Sequence, residues 1–344
     1  MKSFLTRAIL TTVALLSIGS LWLCNTAEAA GAEHYALLGA YMTQAGALKT
    51  FSQGDVIDPY FGMLGLLLAK QFGLNDNFAA NRFIHWVLST QRPDGRFNKY
   101  CRKGYYWYPC GDSDSEDTTL ARWVDLLYTQ ARDNGRRSLP ASWHNSATVA
   151  LSALAAQRLP SGVYSVFPSS KKGYAGYALF KDNVETYNSF EHIASIESSW
   201  GQARRARAMW ARAKALKIAM LKAFGRNPLH LRRLALGASY NKVMFYPQVV
   251  AAPVAWLDGY FKGTPADWYQ WLHTYQKEWF ANARVDYPWG ILALEALKVG
   301  DTNTAACWLA HSRIYRQTNT HWNLIEEISA QIVTLRTRGV TCSR

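Results

Sequence analysis

The hydrophobic and polar positions of this chain follow a helical period almost throughout, and very few segments alternate with the period of two that marks strands. Six runs are apolar on nearly every side, which predicts helices that are buried all round. These runs cover residues 61–70, 119–130, 190–200, 243–258, 289–298 and 324–335. Amphipathic runs precede or separate them, at residues 33–50, 77–90, 144–158, 202–224, 266–280 and 302–315.

This alternation predicts an all-α fold, an (α/α)6 toroid with the apolar helices in an inner ring and the amphipathic helices in an outer ring. An open helical solenoid is the competing architecture, and unequal repeats with long loops fit it less well. Each inner helix follows a polar opening, and most openings also carry an aromatic residue. The openings begin at Asp58, Glu116, Glu185, Ser239, Asp286 and Thr320. A toroid gathers all six at one mouth, so acids distant in sequence converge on one cleft.

The N-terminus reads as a secretory signal peptide at residues 1–30, because a basic start precedes the apolar residues 8–23 and small residues follow. We expect cleavage near Ala29 or Ala30 and a periplasmic or secreted product, with an uncleaved anchor as the alternative. Residues 31–344 are long enough for a single large domain. No later stretch is long and apolar enough to span a bilayer.

The cysteines of the exported part are even in number, which predicts two disulfides. Pairing neighbours along the chain gives Cys101–Cys110 and Cys307–Cys342, although four cysteines allow three pairings. None of the four has the spacing of metal ligands.

The chain is strongly basic, with a formal net charge of +14. An exported basic protein favours an anionic partner such as an acidic polysaccharide, lipopolysaccharide or a membrane surface, although ordinary solubility charge explains the excess equally well. Nucleic acid is not expected, because export removes the usual targets and no nucleic-acid module is present. The most basic segment is interpreted as a solvated outer helix face. It contains Arg204, Arg205, Arg207, Arg212, Lys214 and Lys217.

A cluster of acids begins the second apolar helix. It consists of Asp112, Asp114, Glu116 and Asp117. Acids stabilise a helix N-terminus, which accounts for one or two of them. Four crowded carboxylates also disfavour one another's ionisation, which makes the cluster a candidate for acid/base chemistry. The cysteine loop just before it carries Tyr106 and Trp107, which suit a stacking platform for a sugar or a hydrophobic lid.

Four segments of the chain resemble, in the same order, motifs of glycoside hydrolase family 8, the inverting endoglucanases and their xylanase, chitosanase and cellulose-synthesis relatives. DPYFGML at residues 58–64 is similar to the segment with the family's general acid. SDSEDTTLA at residues 113–121 resembles the segment whose acids contact the sugar at the cleavage point. NVETY at residues 183–187 is similar to a substrate-binding turn, and SYNKV at residues 239–243 to the segment with the base.

The chain departs from the family at its catalytic positions. An ungapped alignment places the acid position on Ile57, one residue before Asp58. The base position is Asn241, which cannot accept a proton, and the position of its arginine partner is Met244. These departures leave three interpretations open: a divergent hydrolase, a descendant that only binds sugar, or an (α/α)6 protein of another family.

The resemblance implies an endo-acting, inverting hydrolase of a β-linked polysaccharide, without a metal or organic cofactor. Inverting hydrolysis needs two carboxyl groups about 6.5–9.5 Å apart. Asp58 is the candidate acid, with helix capping as the alternative, and Asp114 and Asp117 are candidates for the base or a subsite acid. Glu185 is a second candidate base. The predicted substrate-binding residues are Tyr60, Tyr106, Trp107, Asp112, Glu185, Tyr187, Asn188, Tyr240, Asn241 and Trp289.

Two other functions stay open. A polysaccharide lyase of the same fold would act on an acidic polymer, with its residues drawn from Tyr187, Asn188, His192 and Tyr240. A non-catalytic sugar-binding protein of exopolysaccharide assembly is favoured by Asn241. In each case we expect a monomer with a polysaccharide partner, and a peripheral contact with a membrane or lipopolysaccharide is an additional hypothesis.

Overall fold

The computed structural model describes residues 39–74, 77–168, 170–171, 176–231, 233–237 and 244–343. The predicted signal peptide and the predicted substrate-binding residues Tyr240 and Asn241 lie outside these ranges. Within the described ranges, no helix is both long and apolar enough to cross a bilayer.

Six helices form a closed inner ring. They are α1 (Pro59–Gln71), α3 (Glu116–Asp133), α5 (Phe180–Ser199), α7 (Ala251–Leu257), α9 (Gly290–Lys298) and α11 (Leu324–Arg336). Each contacts the next in this order, and α11 contacts α1, which closes the ring. The predicted (α/α)6 toroid is therefore confirmed, and the open solenoid is excluded.

Five outer helices alternate with the inner ones in the described part of the chain. They are α2 (Asn77–Thr90), α4 (Ala141–Ala156), α6 (Ala203–Ala223), α8 (Pro265–Asn282) and α10 (Thr302–Thr318). The helix predicted at residues 33–50 is wrong over residues 39–50. There the chain makes a tight turn at Gly46, whose φ is +94°, and Met42 bridges to Leu48.

The third inner helix begins ten residues earlier than predicted, at Phe180 instead of residue 190. Its first half is polar in sequence, yet those polar side chains are buried inside the ring. Asn183, for example, donates to the carbonyls of Tyr164 and Leu179 and accepts from the Tyr164 N–H. Buried polar groups with such partners carry no apolar periodicity, so the pattern did not reveal the helix. Glu185 consequently lies within the helix and not in its opening.

Short strands stand beside the helices. Strands β1 (Val56–Ile57), β2 (Asn98–Lys103) and β3 (Tyr106–Asp112) form an antiparallel sheet in that order, while β4 (Ala178–Leu179) pairs with β5 (Ala235–Leu236). The chain runs directly from β1 into the opening of α1, so the β2–β3 hairpin is held beside that opening.

Both predicted disulfides are present. Cys101–Cys110 joins β2 to β3, and Cys307–Cys342 ties α10 to the C-terminal residues. Two disulfides suit an oxidising environment outside the cytoplasm.

Many tryptophans are buried in the core, and most of them donate their indole N–H group to a hydrogen bond. The carbonyl of Pro288, just before α9, accepts from Trp279 Nε1 at 3.0 Å and from Trp308 Nε1 at 2.8 Å. Because these two residues belong to α8 and α10, two outer helices fix the segment that enters the fifth inner helix.

Gly290→Ala is expected to destabilise the protein by about 1–3 kcal/mol, because the added methyl would overpack the junction of α9 with its neighbours. It would lie 2.6 Å from Ser329 Cβ and 2.7 Å from the Trp308 ring. Denaturant unfolding measures the effect. Gly39→Ala is the control, since its methyl would meet no atom within 4 Å. Equal stability of the two variants would contradict the tight packing at Gly290.

Candidate active site

The N-terminal ends of all six inner helices surround one cavity of about 140 Å³. We call this end of the ring the mouth and the space within it the mouth cavity. Apart from its tyrosines, its polar lining comes from four of the six openings. These residues are Asp114, Ser115, Lys181, Asp286, Asn323 and Glu326. The toroid thus brings together side chains that are more than 200 positions apart in sequence.

Aromatic rings form one wall of the mouth cavity. Tyr246 and Trp289 stack with ring centroids 5.1 Å apart and an interplanar angle of 17°. Tyr287 lies edge-on to Trp289 and to Phe61, and Tyr60 also faces the cavity. Tyr60 and Trp289 were both predicted to bind substrate. Flat rings of this kind suit the apolar C–H face of a sugar.

Asp58 lies next to the cavity and links the start of α1 to the opening of α3. Its Oδ1 accepts from the Tyr60 N–H at 3.2 Å, which caps α1, and its Oδ2 accepts from the Asp114 N–H at 2.9 Å. Burial raises the pKa of Asp58 to about 6, against the lowering effect of the Asp114 N–H. Asp58 itself does not line the cavity, whereas the exposed carboxylate of Asp114 does. The catalytic role predicted for Asp58 stays a prediction.

A second carboxylate predicted to be catalytic, Asp117, is fully buried below the mouth. Burial first, and then the neighbouring Asp182, raise the pKa of Asp117 well above its usual range. Burial also raises the pKa of Asp182 to about 7, and Ser115 Oγ donates to Asp182 Oδ2 at 3.0 Å. Asp117 is therefore part of a buried acidic layer and does not line the mouth cavity.

Lys181 connects the cavity to this layer. Its Nζ donates to Glu185 Oε1 at 2.6 Å and to the Tyr60 hydroxyl at 3.0 Å. The Tyr60 hydroxyl in turn lies 3.2 Å from both oxygens of Glu185. Burial lowers the pKa of Lys181, but Glu185 and Tyr60 outweigh it and the pKa is raised well above its usual range. Burial and Glu185 also raise the pKa of Tyr60. Lys181 is thus a fixed cation at the cavity floor.

Asp286, which begins one of the predicted openings, and Glu326 were given no functional role from the sequence, and both line the cavity. Glu326 Oε2 accepts from the Gly290 N–H at 2.7 Å, and burial raises the pKa of Glu326 to about 8 despite that hydrogen bond. Asp286 accepts from Trp289 Nε1 at 3.2 Å. The sequence feature that could have identified both residues is the one noted at Asp114, namely an acid at the start of an inner helix.

Asp114 and Asp286 approach the cavity from opposite sides. Asp114 precedes α3, the second inner helix, and Asp286 precedes α9, the fifth. The second and fifth positions of a closed ring of six are directly across from each other. The residues next to the two helices, Ser115 and Trp289, both have left-handed backbones, with φ of 44° and 55°. Strained backbone of this kind is common at functional sites.

The predicted residues of the hairpin lie outside the mouth cavity. Asp112 pairs with Arg92 at 3.2 Å and with Lys171 at 3.4 Å. Tyr106 is 79% exposed near the hairpin tip, while Trp107 is half-buried against the core. These side chains can meet a ligand only where it extends beyond the cavity.

Tyr187 and Asn188 lie two helical turns down α5, away from the mouth. Asn188 Nδ2 donates to the carbonyl of Asp258, at the far end of α7. With His192, Asn188 lines a second cavity of about 510 Å³ between α1, α3 and the middle of α5. The His192 Nδ1 lies 2.7 Å from Asp125. The described residues among those suggested for a lyase are therefore not gathered at the mouth.

Within the described ranges, no group of three or more His, Cys, Asp or Glu side chains is arranged to hold a metal ion.

Several solved structures share the fold. A glycosidase variant in complex with glucose aligns with a TM-score of 0.57 and 13% identity, over 93% of this chain and 99% of the other. An alpha-amylase from Clostridium perfringens aligns with a TM-score of 0.60 and 10% identity, over 90% and 97%. A rhamnosidase from Klebsiella oxytoca with rhamnose bound gives 0.55 and 12%, over 92% of this chain and 64% of the rhamnosidase. No family model and no curated protein sequence matches the chain. At these identities the likeness establishes the toroid fold alone.

Lys181→Met is expected to destabilise the protein by about 3 kcal/mol or more, because it leaves Glu185 buried without its cation. Urea unfolding measures the loss. Lys277→Met, on the exposed side of α8, should change stability by no more than about 0.5 kcal/mol. Adding Glu185→Met to Lys181→Met should recover most of the loss. If Lys181→Met unfolds like the control, the buried ion pair does not stabilise the mouth.

Proposed function

We propose that this protein is a glycoside hydrolase that binds a saccharide at the mouth and cleaves it by general acid–base catalysis. The observation that carries the proposal is the entry of carboxylates into one aromatic-walled cavity from opposite sides of the ring, Asp114 from one side and Asp286 and Glu326 from the other. Support also comes from the neighbours of this fold, which are glycosidases, one with glucose and one with rhamnose bound.

In this proposal Glu326 is the general acid. An acid must hold its proton near neutral pH, and a pKa of about 8 keeps the Glu326 carboxyl protonated there. It would donate that proton to the glycosidic oxygen as the bond breaks. Asp286, beside it in the lining, would bind sugar hydroxyls.

Asp114 is the proposed base. Its carboxylate is exposed in the cavity, where it would take a proton from the attacking water. The resemblance to glycoside hydrolase family 8 favours this inverting course, in which water enters from the face opposite the leaving group. In this mechanism Asp58 does not transfer a proton. It positions Asp114, because its Oδ2 accepts a hydrogen bond from the Asp114 N–H. Asp117 would likewise support the site from the buried layer.

The hairpin would extend the binding surface to a polymer. Its Tyr105 is 98% exposed and Tyr106 79% exposed. Strand β1, which leads into Asp58, pairs with β2 of the hairpin. Rigid aromatic side chains lose little entropy when they bind. We therefore propose that a polysaccharide runs from the mouth cavity across the hairpin.

The buried cation Lys181 offers one argument for the lyase alternative, since it could neutralise a uronate carboxylate at the cavity floor. Burial and Glu185, however, raise the pKa of the neighbouring Tyr60 hydroxyl well above its usual value. The hydroxyl therefore stays protonated and is a poor base. A panel of cellulose, chitosan, xylan and a uronate polymer separates the functions. New reducing ends without an unsaturated product indicate the hydrolase, an unsaturated uronate indicates the lyase, and binding without products indicates the non-catalytic protein.

Asp114→Asn and Glu326→Gln are each expected to lower kcat/KM at least about 10²-fold, because each removes a proton-transfer group while keeping the side-chain shape. Initial rates on the best substrate of the panel measure this. Glu278→Gln, on the exposed side of α8, is the matched control and should keep full activity. Near-normal turnover of both site variants would remove the assignment, and a loss confined to Asp58→Asn would move the acid to Asp58.

The value of kcat/KM is expected to fall as the pH rises through about 8, because the proposed acid Glu326 then loses its proton. Because the pKa of the Glu326 carboxyl is raised to about 8, the protonated and active form of Glu326 is the one present below that pH. A pH series on the wild type and on the residual activity of Glu326→Gln measures the effect. The same alkaline decline in Glu326→Gln would show that another group titrates.

A further inference from the structure

The outer helix α6 differs from the other outer helices in charge. It contains seven Arg and Lys residues and no acid, while the whole chain has a net charge of +14. One helix thus supplies half of the excess positive charge. Every exposed residue of α6 is Arg, Lys, Ala, Trp or Ile, whereas the exposed side of α8 mixes Gln, His, Thr, Lys and Glu.

The two sides of α6 are sharply divided. A stripe of buried residues rests on α5. It consists of Ala206, Met209, Ala213, Leu216 and Met220. At 100° per residue, Arg204, Arg207, Lys214 and Ile218 project from the opposite side, and Trp210 lies one turn before Lys214. We call this side of α6, with these five residues, the basic face.

The charges of the basic face are not neutralised by any described residue. Within the described part of the chain, no ion pair involves Arg204, Arg207 or Lys214. Lys217 is turned away from this side, since its Nζ donates to the Tyr260 carbonyl at 3.0 Å. Crowded like charges on a helix repel one another, so an anionic partner would stabilise them.

Apolar side chains stand between these charges. Trp210 is 39% exposed and Ile218 is 59% exposed. A soluble acidic polymer would be bound by the charges alone and would leave Ile218 in water. An anionic bilayer would use both, because Arg and Lys meet the lipid phosphates while Trp and Ile enter the boundary between headgroups and acyl chains.

We propose that the basic face is a docking surface for a bilayer with anionic phosphate headgroups. The outer helices lie on the rim of the ring and pair side by side with the inner ones. A membrane on the rim would therefore leave the mouth open to one side, so the protein could act on a saccharide next to the membrane surface. The inference does not depend on the proposed hydrolase activity.

Sedimentation with vesicles tests the proposal. At about 0.1 M salt, the protein should bind vesicles that contain phosphatidylglycerol and should not bind pure phosphatidylcholine. Arg207→Glu with Lys214→Glu should lower the affinity at least about tenfold. Lys262→Glu with Lys277→Glu is the matched control, because both residues are exposed elsewhere and the change in net charge is the same. The control should keep its affinity within about twofold.

A second pair of changes separates lipid from other anions. Trp210→Ala with Ile218→Ser should lose the residual vesicle binding that the wild type keeps at about 0.5 M salt, where charge attraction is screened. Circular dichroism checks that each variant is folded. Equal losses in the two charge variants would overturn the proposal in favour of a general charge effect. Binding to soluble polygalacturonate through Arg207 and Lys214, without vesicle binding, would also overturn it.

Discussion

The closed inner ring depends on a layer of buried ionisable groups just below its mouth. Lys181, Glu185 and the Tyr60 hydroxyl bond to one another there, and deeper in the ring Arg122 binds Asp258 at 2.9 Å. A buried charge is costly unless it is paired and hydrogen-bonded. Lys181 and Glu185 pair within α5, and Tyr60 reaches them from α1. Each of these charges is therefore buried together with a partner, and the contacts from Tyr60 and Arg122 link helices of different repeats. The same pairing makes the floor of the mouth cavity polar and fixed in place.

Asp58 shows how structure and function share one side chain. Its carboxylate caps α1 and binds the Asp114 N–H, and Lys99 of β2 lies 3.8 Å away. It thereby joins the first inner helix, the opening of the second and the disulfide-tied hairpin. A residue that carries these links is a positioning residue for Asp114 in the proposed mechanism. Capping and function, which the sequence presented as alternatives, are compatible at this position.

The periodicity predicted the inner and outer helices where the buried positions are apolar and the exposed positions are polar. The outer helix α2 was predicted at the bounds observed, Asn77–Thr90, because it has an apolar side against the core and a polar side in water. The rule fails where polar residues are buried, as in the first half of α5. It also fails at residues 39–50, where a turn at Gly46 and the bridge from Met42 to Leu48 replace the expected helix.

The sequence by itself indicated the toroid, the presence of two disulfides and the gathering of acids at helix openings, because helical period, cysteine count and capping preferences are local properties. It left three cysteine pairings open, and the tertiary structure decided between them. Only the tertiary structure decided which acids share a cavity. Asp114 and Asp286 are 172 positions apart and meet across the mouth, while Asp117 is three positions from Asp114 and is buried away from it. Which side of a helix start faces the cavity depends on how the ring closes, and no local pattern contains that information.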